Sequence, residues 1–174
     1  MKFGFITVCL VIAGLSTSAM AATTLKLDQK IDLLMVDGQK MSGSLLKGAD
    51  SLELGSGQHQ ILFKVFETVD GQAGAPATYF PSNFIATFNT EKVSSVSFKL
   101  PPLQTPQDRK NFTAQPQYQL LDEKNQAIPV RTDALVIADN ELLDIERKMS
   151  EYNAAANGAS VAGFATTLNE SVSW

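Results

Sequence analysis

The sequence predicts a mainly β fold: a small β-sandwich or barrel-like meander with one C-terminal amphipathic helix. Three observations predict it. Apolar and polar residues alternate in short runs, as at Ser51-Leu52-Glu53-Leu54 and Val96-Ser97-Phe98-Lys99-Leu100, which is the period of a strand with one buried face. Turn residues separate these runs, notably Asp37-Gly38 and Gly55-Ser56-Gly57, and such spacing marks small sandwiches and barrels. Only late in the chain does a helical period appear, with Leu142, Ile145, Met149 and Tyr152 on one face.

The chain opens with Lys2, an apolar run over residues 3–15, and small residues ending in Ala19-Met20-Ala21. This order reads as a secretory signal peptide over residues 1–21, cut between Ala21 and Ala22 after the A-x-A pattern. The apolar run has about 13 residues, too few to span a bilayer as a helix, which takes about 20. The expected location is therefore periplasmic or secreted, with no membrane insertion after cleavage.

Cys9, the single cysteine, lies inside this leader. The expected mature chain has no disulfide, thiol nucleophile or thiolate metal site, and must rely on a hydrophobic core. Cutting 21 residues from 174 leaves 153, enough for one such core. The leader holds one Lys and no acid, so 13 Lys plus Arg stand against 18 Asp plus Glu, a net charge of −5. That balance argues against nucleic acid or an anionic membrane surface, since both demand a basic patch.

Along the mature chain, residues 22–103 read as a sandwich-like domain. Leu25-Lys26-Leu27 alternates, and residues 31–36 form an apolar run broken by Asp32. Asp37-Gly38 then predicts a hairpin. In residues 59–66, Ile61, Phe63 and Val65 face one way, and Leu62, Lys64 and Phe66 the other. Two apolar faces mark a central strand. Residues 70–77 are a Gly/Ala/Pro loop, and residues 84–88 another strand.

Residues 104–116 are expected to be a Pro-rich connection, within a stretch (101–116) that holds four prolines. Residues 117–174 then carry a hairpin, a helix and a tail. Asp122-Glu123-Lys124-Asn125 is the predicted hairpin turn, between flanks 118–121 and 128–130. Asp139 or Asn140 is the predicted helix N-cap and Asn157-Gly158 the stop. Asp144 and Lys148 are spaced for an i, i+4 ion pair.

No catalytic or metal-binding constellation emerges, and no cofactor is implied. His59 is the only histidine. A general base needs an orienting partner and a metal needs several ligands, so an exposed or hydrogen-bonding structural histidine is the simpler expectation. Asp50 with Glu53, and Asp122 with Glu123, have the residue types of a glycosidase pair, yet lie near turns as solubilising acids do. Asp139, Glu141, Asp144 and Glu146 spread around a helix start, where acids favour the dipole. Tyr79, Phe80, Phe84 and Phe88 are either a sugar-stacking platform or core, and the shared strand face of Phe84 and Phe88 favours core. Asn111 and Asn169 head glycosylation sequons.

Four stretches carry a family resemblance: Thr24-Leu25-Lys26-Leu27, IDLLMVDGQKMSGSLLKGADSLELGSGQHQILFKV over residues 31–65, FNTEKVSSVSFKLPPL over 88–103 and PQYQLLDEKNQAIPVRTDAL over 116–135. In this order they resemble the YccT-like family of secreted enterobacterial proteins. The first half also resembles a PEGA-type sandwich. The first resemblance implies a periplasmic location and a restraining role in assembly of curli, the extracellular amyloid fibre. The partner so implied is an amyloid fibre subunit or another envelope protein. Members of the family usually continue into a further C-terminal helical segment, and this sequence departs from them by stopping at Trp174. The alternative function is a glycan- or envelope-binding module that uses the aromatic stretch.

Overall fold

The computed structural model describes residues 21–41, 49–68, 77–138, 141 and 144–165. The strands are β1 (Thr23–Lys26), β2 (Ile31–Val36), β3 (Gln39–Lys40), β4 (Ser51–Leu54), β5 (Gln58–Thr68), β6 (Ala77–Asn89), β7 (Ser95–Lys99), β8 (Gln119–Leu121) and β9 (Val130–Leu135). Helix α1 (Pro106–Ala114) precedes β8, and helix α2 (Ile145–Ala154) follows β9. The strands form two sheets, ordered β4-β1-β7-β8 and β3-β2-β5-β6-β9.

The mainly β expectation holds as two packed sheets with no closed barrel. The chain changes sheet at tight turns between β1 and β2 and between β4 and β5. Asp28 opens the β1–β2 turn, its carboxylate accepting from Lys30 N–H at 2.8 Å. Residues 55–57 carry the chain from β4 in the first sheet to β5 in the second. One consequence is a parallel pair, β1 with β7, in which Leu25 lies opposite Val96. Hairpins join β2 to β3 and β5 to β6. At the first of these Asp37 and Gly38 both have positive φ, 50° and 78°, the backbone of a type I′ hairpin.

The core between the sheets explains the alternation. Leu25, Leu54, Val96, Phe98 and Leu120 of the first sheet meet Leu33, Ile61, Phe63, Val65, Phe84 and Phe88 of the second. On the other face of β5, Leu62 joins Met35, Ile85, Ile137, Ile145 and Met149 beneath α2. Sheet two is thus covered on both sides, which is why β5 reads apolar on both faces.

Residues 104–116 differ from the expected connection. Most of them form α1, a helix additional to the one expected. Thr105 and Asp108 make a complete capping box: Asp108 N–H donates to Thr105 Oγ1 at 3.1 Å and Thr105 N–H to Asp108 Oδ2 at 3.0 Å. Pro106 sits in the first turn, where its missing N–H costs nothing. Phe112 is the sole buried residue of the helix. Its ring lies 4.9 Å from Phe80 and 5.6 Å from Phe84. One apolar anchor shows no 3.6-residue period, so the prolines are the stronger local signal in this stretch. Thr105→Ala is expected to cost about 1 kcal/mol in denaturant unfolding. Bonds from the Thr105 side chain and main chain hold the Asp108 carboxyl below the usual carboxylate range. Its contribution is therefore present above the unfolded-state value and lost as pH falls through the lower folded one.

The predicted hairpin at 122–125 also differs. The turn forms: Asp122 Oδ1 accepts from Lys124 N–H and Gln126 N–H, each at 2.9 Å, and Asn125 takes φ 59°. Its flanks share only a bridge between Leu121 and Ala127. β8 then pairs with β7 in one sheet, and β9 with β6 in the other. The segment crosses between sheets because Leu120 and Val130 both reach the same inter-sheet core.

Helix α2 begins later and ends earlier than predicted. Asp144 occupies its N-cap, while Asp139, Asn140 and Leu142 lie outside the described residues. Ala155 is the C-cap and Ala156 adopts φ 54°, so the stop precedes Asn157-Gly158. The predicted Asp144–Lys148 pair is replaced. Lys148 meets Glu141 at 3.0 Å, and Arg147 meets Asp144 at 3.2 Å and Glu151 at 2.8 Å. Among the described residues, no helix is long and apolar enough to cross a membrane.

Candidate functional site

His59 is buried, with both ring nitrogens engaged. The positive-φ turn aims the Asp37 carboxylate back at β5. Its Oδ1 accepts from Gln60 N–H at 2.9 Å, and its Oδ2 lies 2.7 Å from His59 Nδ1. His59 Nε2 is 2.7 Å from the Gly55 carbonyl oxygen. The ring therefore ties the β2–β3 turn to the β4–β5 turn. Nε2, the atom a catalytic base would present to a hydroxyl, is held by a main-chain carbonyl.

The acids are dispersed. Asp50 is exposed, and Glu53 accepts from Thr24 Oγ1 at 2.8 Å. Glu123 accepts from Ser94 N–H at 3.1 Å, away from the turn that Asp122 holds. Glu146 accepts from Lys40 N–H at 3.4 Å. Among the described residues no three His, Cys, Asp or Glu side chains are grouped to hold a metal.

The aromatic stretch is divided by its own strand. Phe80, Phe84 and Phe88 are buried in the inter-sheet core. Tyr79 is 48% exposed and pairs with Phe66 at 5.4 Å, with Lys64 Nζ 5.5 Å from its ring. Tyr79, Phe80 and Phe84 therefore do not form one stacking platform. Asn111 is exposed on α1, and Asn169 lies outside the described residues, as does Ala19. Ala21 and Ala22 are exposed ahead of β1.

The residues that the fold does bring together lie around β9. Of the strands that end the two sheets, β9 is the longest. Among the described residues it pairs with β6 alone, from Phe88 opposite Val130 to Asn83 opposite Leu135. The outer side of β8 is instead satisfied by its own chain, with Ile128 N–H on the Leu120 carbonyl at 2.9 Å. Beside β9 opens a cleft of about 450 Å³, lined by Lys99, Leu100, Pro101, Gln117, Tyr118 and Thr132. Tyr118 closes its floor by donating to the Ile85 carbonyl at 3.2 Å. Burial, then the nearby Asp133 charge, pushes the Tyr118 phenol up, so it remains a donor.

On the opposite face, a buried polar network fastens β9, α2 and residues 157–161 together. The Gln60 and Asn153 side-chain amides bond reciprocally, at 2.7 and 2.9 Å. Gln60 Nε2 and Thr87 Oγ1 both donate to the Ala159 carbonyl, at 2.9 and 2.5 Å. Tyr152 donates to Asp133 Oδ2 at 2.6 Å and accepts from Ala159 N–H at 2.9 Å. Burial, then the Asp133 bond, pushes the Tyr152 phenol up to about 12, which keeps its proton in place. Arg131 Nη1 donates to the Gly158 carbonyl at 3.0 Å. Sequence reasoning missed this network, since Gln60 and Asn153 are 93 residues apart. The β-branched Val130 and Thr132, two residues apart, were the available signal for β9.

Comparison with known proteins places the chain among relatives of unassigned activity. A family described as "Uncharacterized protein conserved in bacteria (DUF2057)" matches residues 24–173. The UPF0319 protein YccT of Escherichia fergusonii is 40% identical over 169 residues, covering 97% of this chain and 76% of the relative. A UPF0319 protein of Citrobacter koseri is 40% identical over the same shares. The UPF0319 protein YccT of Escherichia coli O1:K1 / APEC is 38% identical, again over 97% and 76%. No solved structure matches the chain.

Proposed function

We propose that this chain, which belongs to the DUF2057 family of uncharacterised proteins conserved in bacteria, is a non-enzymatic periplasmic or secreted protein that pairs with an extended segment of another polypeptide. The signal-peptide pattern ahead of Ala22 supports the location. One observation carries the activity: β9 offers an outer edge that no described strand covers. A strand edge recruits extended peptides through main-chain hydrogen bonds, while neighbouring pockets select their side chains. The cleft beside Thr132 supplies such a pocket. The partner suggested by the family resemblance is a curli-type amyloid subunit, whose growing end is itself an exposed strand edge. A domain that caps that end stops addition.

The test is fibre-growth kinetics with a thioflavin-type dye, using purified fibre subunit and the exported protein. Growth is expected to slow at substoichiometric ratios, because ends are far fewer than subunits. Inhibition is expected to survive moderate salt, because main-chain pairing is not screened as surface charge is. Unchanged lag and elongation at equimolar protein would remove the inhibitor reading.

A further inference from the structure

We propose that the outer edge of β9 is self-complementary and pairs, antiparallel, with β9 of a second copy about a two-fold axis at Thr132. The inference rests on the reading above only in taking this edge to be open. Whether a client polypeptide exists does not enter it.

The first ground is the direction of the main-chain groups. In an antiparallel ladder, alternate residues turn their N–H and C=O to opposite sides. Ala134 N–H is engaged by Asp133 Oδ1 at 2.8 Å, a local bond made on the exposed strand. The Thr132 carbonyl lies beside Gly158, where an added Cβ would stand 4.0 Å away. Both groups therefore point away from β6. Val130, Thr132 and Ala134 are the residues that offer donors and acceptors to a newcomer.

The second ground is charge. Arg131 and Asp133 share the face turned toward α2, as their bonds to Gly158 and Tyr152 require. Val130 faces the inter-sheet core. With Thr132 opposite its own copy, Arg131 of each molecule lies across from Asp133 of the other, twice over. On the other face Val130 meets Ala134. Opposite charges placed directly across strands stabilise, and like charges there destabilise. Moving the axis to Asp133 sets Asp against Asp, and moving it to Arg131 sets Arg against Arg. Of the axes at Arg131, Thr132 and Asp133, only the one at Thr132 sets opposite charges across from each other.

That register makes about four main-chain bonds, and about two more where Ala134 N–H exchanges Asp133 Oδ1 for the facing strand. Neither charged group is saturated by its present contacts, since a guanidinium carries five donors and each carboxylate oxygen accepts more than one bond. The contact closes on itself, so it ends at a dimer rather than growing. An interface of one strand pair falls under the roughly 1,000 Å² of a stable complex, so association is weak and concentration-dependent.

Sedimentation velocity on the purified exported protein, with no client present, tests this. Between about 10 μM and 1 mM the weight-average mass is expected to rise from monomer toward dimer, as for a weak interface. Thr132→Pro removes an outward donor, which an edge strand tolerates. It is expected to keep the circular dichroism of the parent and to stay monomeric. Asp133→Arg places Arg across from Arg and is expected to abolish the dimer. Arg131→Glu combined with Asp133→Arg is expected to restore it, a rescue that no purely structural role predicts. A parent chain that is monomeric at 1 mM, a dimer untouched by Thr132→Pro, or a well-folded double variant without rescue would overturn the proposal. A monomer that still slows fibre growth would overturn self-pairing alone, and a dimer that leaves growth unchanged would overturn the client reading alone.

Discussion

Phe63→Ala is expected to destabilise the fold by about 3–5 kcal/mol, the range for emptying a buried aromatic site. Phe63 has no exposed surface. Its ring lies 5.7 Å from Phe84 in its own sheet and 5.1 Å from Phe98 in the opposite one, with Tyr118 at 5.3 Å. Phe84 is paired on both sides within β6 and Phe98 is paired with Leu120 within β7, while Tyr118, just before β8, is held by its bond to the Ile85 carbonyl, so they collapse little into the space left behind. The cost should therefore fall toward the upper end of the range. Urea unfolding of parent and variant measures it. A loss below about 1 kcal/mol would mean that the two sheets do not meet at this ring.

Asn153→Ala should cost about 2–5 kcal/mol, at about 1–3 for each buried polar group left unpaired. The substitution strips Gln60 Oε1 of its donor and Val161 N–H of its acceptor. Gln60 Nε2 keeps the Ala159 carbonyl, so the loss is partial. Because the network joins α2 to sheet two, the effect should be local as well as global. Hydrogen exchange along residues 145–161 should quicken more than exchange along β1 and β7, which lie in the other sheet. Equal acceleration in both sheets, or a cost under about 0.5 kcal/mol, would show that apolar contacts of Ile145 and Met149 alone hold the helix down.

The strands that were legible in the sequence were those whose local pattern repeats a single physical demand. β4 and β7 bury one face, so their side chains alternate. β5 is covered by β7's sheet on one side and α2 on the other, so both of its faces are apolar. Asp37-Gly38 needs positive φ at both positions, which few other dipeptides supply without strain. Helix α1 carried a readable start in Thr105, Pro106 and Asp108, but its single anchor, Phe112, leaves no period, and the four prolines nearby argued for a connection.

The sequence by itself determined the class of the fold, the central place of β5, the hairpin at Asp37-Gly38 and the late helix, because each depends on neighbours within a few residues. Tertiary structure alone decided which strands share a sheet. It sent β8 and β9 to different sheets across one turn, and it turned Tyr79 away from the phenylalanines beside it. It also decided what His59 and Gln60 are for, by bringing them against Asp37 and Asn153. Pairing across 22 and 93 residues leaves no trace in local composition: a polar side chain reads the same whether water or a distant amide satisfies it. The edge of β9 that is unpaired among the described residues has the same origin, since a strand's outer side is defined only by which strands stop short of it.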